Sequence, residues 1–340
     1  MPRRHSRDLE PIRAELFGVE RLEQHATTLA AAQTADLRPR PGYRLLAALE
    51  ENARILQSAY TALTDAVQRD ETISPAAEWL IDNFHIVDEQ LREIREDLPP
   101  KFYRQLPKLT SGPLVDHPRV YGLAWAFVAH TDSRYDPDLL ERFVRSYQRI
   151  VPLTMGELWA LPITLRILLV ENLRRIAERI VTSRDERVEA NQLADLLLAA
   201  SGRSSADLLA SLRPYEVQPL ARAFAVELVQ RLRESDPDTM PVVGWLERRL
   251  AERHTTPEEL VRAEHASQLS AHATVANIIT SMRQISAFDW ATFFESVSLV
   301  EAVLRRDPAG IYPQMDFATR DTYRHAVELL ARGSALTEQD

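Results

Sequence analysis

The sequence predicts an all-α protein, either a multi-helix bundle or an irregular α-solenoid. Three observations carry this. Only nine glycines occur in 340 residues, so hairpins and phosphate loops that need positive φ are scarce. Leu, Ala, Arg and Glu dominate, and all four favour helix. Apolar residues recur at helical spacing, with no convincing alternating run of β-branched residues.

The elements follow in order. A first helix is expected after Pro11, through Ile12, Leu16 and Leu22 to about Gln33. Asp36 to Gly42, with Pro39 and Pro41, reads as a connection. A long helix follows from Tyr43 to about Gln68, carrying Leu45, Leu49, Leu56 and Tyr60. Ser74-Pro75 is an N-cap followed by proline at the first helical position. The helix it opens should carry Trp79, Leu80, Phe84, Val87, Leu91 and Ile94 on one face. The proline-rich stretch from Asp97 to Pro118 reads as irregular, and so as a candidate working surface.

An aromatic helix, Tyr121 to His130, comes next, and Asp136-Pro137 starts another. Thr154 and Glu157 have the spacing of a capping box, in which hydroxyl and carboxylate each take an orphan backbone N–H. The helix they open should reach about Ile180. Further helices are expected near 188–200, 216–234 and 240–253. Thr256 to Glu259 is a second capping box, opening a helix to about Ile285. Helices near 289–305 and 317–332 complete the chain. Pro162 and Pro219 each begin similar apolar-basic segments, but no fixed repeat period emerges. The domain reading is 1–115 and 116–340, or one continuous helical domain.

Composition narrows the function. The net charge of −9 argues against nucleic acid as a partner, because phosphate neutralisation needs a basic face. Arg174-Arg175 and Arg248-Arg249 read as solvated helix surface. Cysteine is absent, which removes thiolate nucleophiles and Cys-type zinc sites. The most apolar stretch, Leu158 to Val170, is interrupted by Arg166 and is too short to span a membrane; it reads as a buried helix. The basic N-terminus lacks the apolar stretch of a secretory signal.

No motif supplies catalysis. Asp136-Pro137-Asp138 and Asp236-Pro237-Asp238 look like metal-binding acidic pairs but are better explained as N-caps with proline at the first helical position. Asp82, His85 and Glu89 share one expected helix without a second ligand cluster. His265 and His272 lack the HExxH pattern of a zinc site. Neither a Gly-x-Ser-x-Gly elbow nor a Walker-type loop occurs. Trp125, Phe127, Trp159, Trp245, Trp290, Phe293 and Phe294 read as core; a sugar platform would require an exposed tryptophan.

Several strings are too polar for helix packing alone to dictate. They are Leu16-Phe17-Gly18-Val19-Glu20-Arg21-Leu22, Trp79-Leu80-Ile81-Asp82-Asn83-Phe84-His85-Ile86-Val87, and Leu106-Pro107-Lys108-Leu109 through His117-Pro118-Arg119-Val120-Tyr121. The last group joins Ile279-Thr280-Ser281-Met282-Arg283, Phe294-Glu295-Ser296-Val297-Ser298, Asp307-Pro308-Ala309-Gly310-Ile311-Tyr312 and Met315-Asp316-Phe317-Ala318-Thr319-Arg320-Asp321-Thr322-Tyr323-Arg324. Together they resemble the N-terminal region of cyclic β-1,2-glucan synthases, over nearly the whole chain.

The resemblance implies a helical region on the cytoplasmic face of the bacterial inner membrane, soluble as an isolated domain. In the family it is followed by membrane spans, a glucosyltransferase domain using UDP-glucose and a divalent metal, and a phosphorylase-like domain. The acidic metal motif and the acceptor-side motif of the transferase do not occur here, nor does the phosphorylase acid. No catalytic, cofactor-binding or metal-binding residue is therefore carried over, and further sequence is expected after Ala331-Arg332. The expected role is a non-catalytic domain that supports or positions the transferase domain of the same polypeptide. Alternatives are a β-1,2-glucan-binding module, a protein acceptor for the initiating glucose, or a protein–protein interaction scaffold. Asn83, His85, Arg119, Arg283 and Arg320 are the candidate interaction residues.

Overall fold

The computed structural model describes residues 10–38, 41–98, 102–199, 205–216, 220–233, 240–334 and 336–340. Among them are fifteen α-helices and one pair of two-residue strands, so the all-α class holds. The chain divides into two compact units. The first comprises Met1–Glu10, Ile55–Phe84 and Arg174–Ala276; the second comprises Pro11–Arg54, His85–Leu173 and Asn277–Asp340. Residues 1–115 and 116–340 each contribute to both units, and three of the five divisions fall inside long helices: α2 (Leu45–Gln68), α8 (Met155–Leu198) and α12 (Pro257–Ala287).

In the first unit, the end of α8 packs with α9 (Ser205–Ala210), α10 (Arg222–Arg233) and α11 (Met240–Ala251). Their shared core contains Leu193, Leu197, Leu212, Phe224, Leu228, Trp245 and Leu246. The short helix α3 (Pro75–Asp82) also lies here, capped by Ser74, whose Oγ accepts from the Ala77 N–H at 3.3 Å. Pro219 and Asp236 to Asp238 lie outside the described residues.

In the second unit, α1 (Val19–Ala32) packs along α7 (Pro137–Gln148) and touches α6 (Arg119–His130). The chain before α1 is irregular rather than helical. Its Ala14 and Phe17 N–H groups donate to the carbonyls of Ala129 and His130 at the end of α6, so these donors are already used and Gly18 becomes the N-cap. Strand β1 (Ala35–Asp36) pairs antiparallel with β2 (Lys108–Leu109). Asp136 caps α7 by accepting from the Leu139 N–H at 3.0 Å. Both expected capping boxes form: Thr154 with Glu157 opens α8, and Thr256 with Glu259 opens α12.

Several expectations change. The helix expected from Ser74 onward is two helices, α3 and α4 (Phe84–Asp97), interrupted at Asn83. The Asn83 side chain donates to the Trp79 carbonyl at 2.9 Å, alongside the Asn83 backbone N–H at 3.3 Å, and so closes the end of α3. The segments expected to end near Ile180 and restart near 188 are one helix of 44 residues, because no glycine or proline interrupts residues 181–187. Pro162 lies inside α8 instead of beginning a helix. Its cost, about 3 kcal/mol in an isolated helix, is offset by burial of Leu158, Leu161, Ile163 and Leu165 around it. Arg174 and Arg175 are buried: Arg174 pairs with Glu178 and Arg175 donates to the Glu10 carbonyl.

Candidate functional site

The most elaborate polar arrangement among the described residues joins α13 (Trp290–Val297), α14 (Leu299–Leu304) and α15 (Phe317–Arg332) in the second unit. Ser298 separates the first two helices and caps α14 by accepting from the Glu301 N–H. Asp307 then organises a turn: its carboxylate accepts from the N–H groups of Ala309, Ile311 and Tyr312 at 2.9–3.0 Å. Gly310 occupies the left-handed region there, at φ +64, which a side chain would strain. Asp316 caps α15 by accepting from the Thr319 N–H at 2.8 Å.

This placement brings three arginines onto the buried carboxylate of Glu301 and the half-buried one of Glu295. Arg324, 1% exposed, donates to Glu301 Oε2 at 2.8 Å, to Glu295 Oε1 at 3.1 Å, and to Asp321. Arg320 donates to both oxygens of Glu295 at 2.8 Å. Arg305 bridges Glu301 and Glu295, and the Tyr312 hydroxyl donates to Glu301 at 2.7 Å. Burial opposes ionisation of Glu301, but the bonds from Tyr312, Arg324 and Arg305 outweigh it and hold the carboxyl below its ordinary range. Burial, then the Glu301 contact, pushes the Tyr312 phenol up. The Arg324 guanidinium also lies 4.8 Å from the Phe317 ring centroid and 5.3 Å from that of Phe294. With every acid matched by a base, the cluster reads as a clasp closing α15 onto the unit.

The sequence-derived candidates do not converge on one place. Arg320 belongs to this clasp. Arg119 makes a separate buried fork, donating to Glu157 Oε1 at 2.8 Å and Oε2 at 2.5 Å, and to the Pro152 carbonyl. Glu157 thus serves both the capping box and the ion pair. Asn83 performs the α3 end-capping described above. His85 and Arg283 are exposed on α4 and α12. The break at Asn83 places Asp82 and His85 on different helices. His265 is exposed, while His272 lies edge-on to Trp79 within the first unit. No group of three metal-ligating side chains occurs among the described residues.

Exposure separates the aromatics. Phe127, Trp245, Phe293 and Phe294 are buried, but Trp79 is 39% and Trp159 36% exposed. The Trp159 ring stacks on Phe294 at 4.5 Å. Each unit holds a cavity. That of the first, about 520 Å³, is polar, with Glu71, Arg184, Asn191 and Gln268 in its lining; Arg184 is paired to Glu71. That of the second, about 630 Å³, lies between the start of α2 and the short helix α5 (Phe102–Gln105). It borders the proline-rich stretch, whose residues 99–101 lie outside the described set. Among the described residues, no helix is long and apolar enough to cross a membrane.

Sequence reasoning named Arg320 as a candidate contact and flagged Glu295 and Arg324 only as members of polar strings. The i, i+4 repeat of Arg320 and Arg324 after an acidic N-cap was the available signal. No family model matches the chain. Over 335 residues, 97% of its length, the chain is 39% identical to the cyclic beta-(1,2)-glucan synthase NdvB of Rhizobium meliloti (strain 1021). It spans only 12% of that protein, an extent consistent with the N-terminal region whose resemblance the polar strings carry.

Proposed function

We propose, from its kinship with part of a cyclic β-(1,2)-glucan synthase, that the chain is a non-catalytic helical region of such an enzyme, supporting or positioning its UDP-glucose-dependent glucosyltransferase part. The 39% identity along 97% of the chain is the observation that carries this reading. The buried acids support it from the chemical side. Asp132, Glu157, Glu264 and Glu301 are all paired with arginines, and an acid held in this way is poorly placed to act as a general acid or base. UDP-glucose and a divalent metal then belong to the transferase part. The region works on the cytoplasmic side of the inner membrane, held there by other parts of the polypeptide.

The test is deletion from a full-length synthase, with synthase abundance in the membrane measured alongside. Cyclic glucan made from UDP-glucose per mole of synthase should fall at least tenfold and recover when the chain is supplied as a separate polypeptide. Undiminished synthesis by the deleted enzyme would refute the role.

A further inference from the structure

The cavity of the second unit is a built site. On one wall, residues 41–47 lead into α2. Gly42 lets this segment press close: a Cβ there would sit 2.5 Å from the Asp116 carbonyl oxygen and 2.7 Å from Lys108 Cε. The Tyr43 N–H donates to that same carbonyl at 2.9 Å. The Tyr43 ring stacks on His117 at 4.0 Å and 20°, and His117 packs in turn on the buried Tyr121 at 4.9 Å. Tyr43 remains 46% exposed and lines the cavity. On the other wall, the buried Lys108 Nζ donates to the carbonyls of Tyr103 and Leu106, both at 2.6 Å, fixing the end of α5.

The lining pairs this braced ring and the apolar Leu46 and Leu98 with Arg44, Glu50 and Arg104. At about 630 Å³, it falls in the range of ligand pockets, roughly 300–1,000 Å³. Pyranose rings present C–H faces that stack on aromatics and hydroxyl pairs that match planar guanidinium and carboxylate groups. Glu50 at the rim is already forked to Arg95 at 2.8 and 3.0 Å, and the Lys108 ammonium is committed to backbone carbonyls, so Arg44 and Arg104 supply the polar rim. The aromatic brace is set by the fold, so the platform loses little freedom on binding.

We infer that this cavity binds a β-linked gluco-oligosaccharide, with Tyr43 as the stacking platform and Arg44 and Arg104 as hydroxyl partners. The choice of glucose rests on the function proposed above. The site itself rests on the cavity.

The experiment is NMR titration of the whole chain with β-(1,2)-linked gluco-oligosaccharides of two to six units, with maltose oligomers and UDP as comparison ligands. Saturable shifts at millimolar β-(1,2) oligomer are expected, with weaker responses to the comparison ligands. Tyr43→Ala should weaken binding about tenfold, and Tyr43→Trp should retain it. Arg44→Ala combined with Arg104→Ala tests the rim without touching the platform and should also weaken binding about tenfold. Unsaturable response to the oligomers, tighter binding of UDP, or unchanged affinity in either folded variant would overturn the site. Deletion from the full synthase reads the accessory role separately: glucan synthesis that depends on the chain, alongside no oligosaccharide binding, would sink this inference alone.

Discussion

Replacing Arg324 with methionine tests whether the α15 clasp is structural. The substitution removes a 2.8 Å bond to Glu301, a 3.1 Å bond to Glu295 and the contacts to Asp321. It leaves Glu301, which has no exposed surface, with less compensating charge. Hydrogen bonds to charged groups contribute about 1.5–3 kcal/mol each, so the bonds to buried Glu301 and half-buried Glu295 predict an upper figure of roughly 3–6 kcal/mol. Breaking a buried ion pair from one side independently costs about 3–5 kcal/mol. For a domain of roughly 150–250 residues, 3–5 kcal/mol corresponds to a melting-point drop of about 6–20 °C. Calorimetry and urea titration of the 340-residue chain measure it. Adding Glu301→Gln to Arg324→Met should restore part of the loss, because the stranded charge is gone. A single variant within about 0.5 kcal/mol of wild type, the size of an ordinary surface change, would refute the argument and turn Arg324 into a candidate contact residue.

Arg119→Met should likewise cost about 3–5 kcal/mol, and Arg119→Met with Glu157→Gln should cost less in the same urea titration. Burial, and then the neighbouring His130, lowers the His25 pKa; burial also lowers that of His117. Both rings thus bind protons less readily folded than unfolded. Their stability contribution is complete above the unfolded value of about 6.5 and is lost as pH falls below it. The drop in unfolding free energy between pH 7.5 and 5.5 should accordingly shrink in His25→Gln. Glu338 accepts from the Met155 N–H at the start of α8, and burial, with Glu328 and Glu157 nearby, raises its pKa. Ionising it costs stability as pH rises through its ordinary range, so Glu338→Gln should stabilise at pH 7 and become neutral below about pH 4. A thermal-shift series across pH would show that crossover.

What the sequence revealed was what local chemistry decides. The capping boxes at Thr154 and Thr256, and the Ser74-Pro75 and Asp136-Pro137 starts, need only neighbours within three residues, and all four form. Other features depend on distant partners. The β1–β2 pair involves two residues on each side, more than 70 positions apart, too short for any periodicity. The unexpected irregular segment at 11–17 is set by carbonyls at the end of α6. Adjacent arginines such as Arg174-Arg175 look like surface because the sequence cannot show the acids and carbonyls that fold onto them. The exposure of Tyr43, Trp79 and Trp159 was illegible for the same reason: aromatic residues at helical spacing pack inward by default. Of the five candidate contact residues, Arg119 holds the buried Glu157 and Arg320 the half-buried Glu295, whereas His85 and Arg283 face solvent.

The Glu301 carboxylate receives bonds from Arg305, Tyr312 and Arg324, and this shared dependence constrains how the chain can drift. An apolar core in its place could be equally stable once complete, since buried ion clusters are often replaceable as a set. Every single-step path toward it first strands a charge, and neighbouring substitutions of this kind are strongly non-additive. Residues 295–324 are therefore expected to behave as one inherited block, changing together or hardly at all, while nearby solvent-facing positions vary independently.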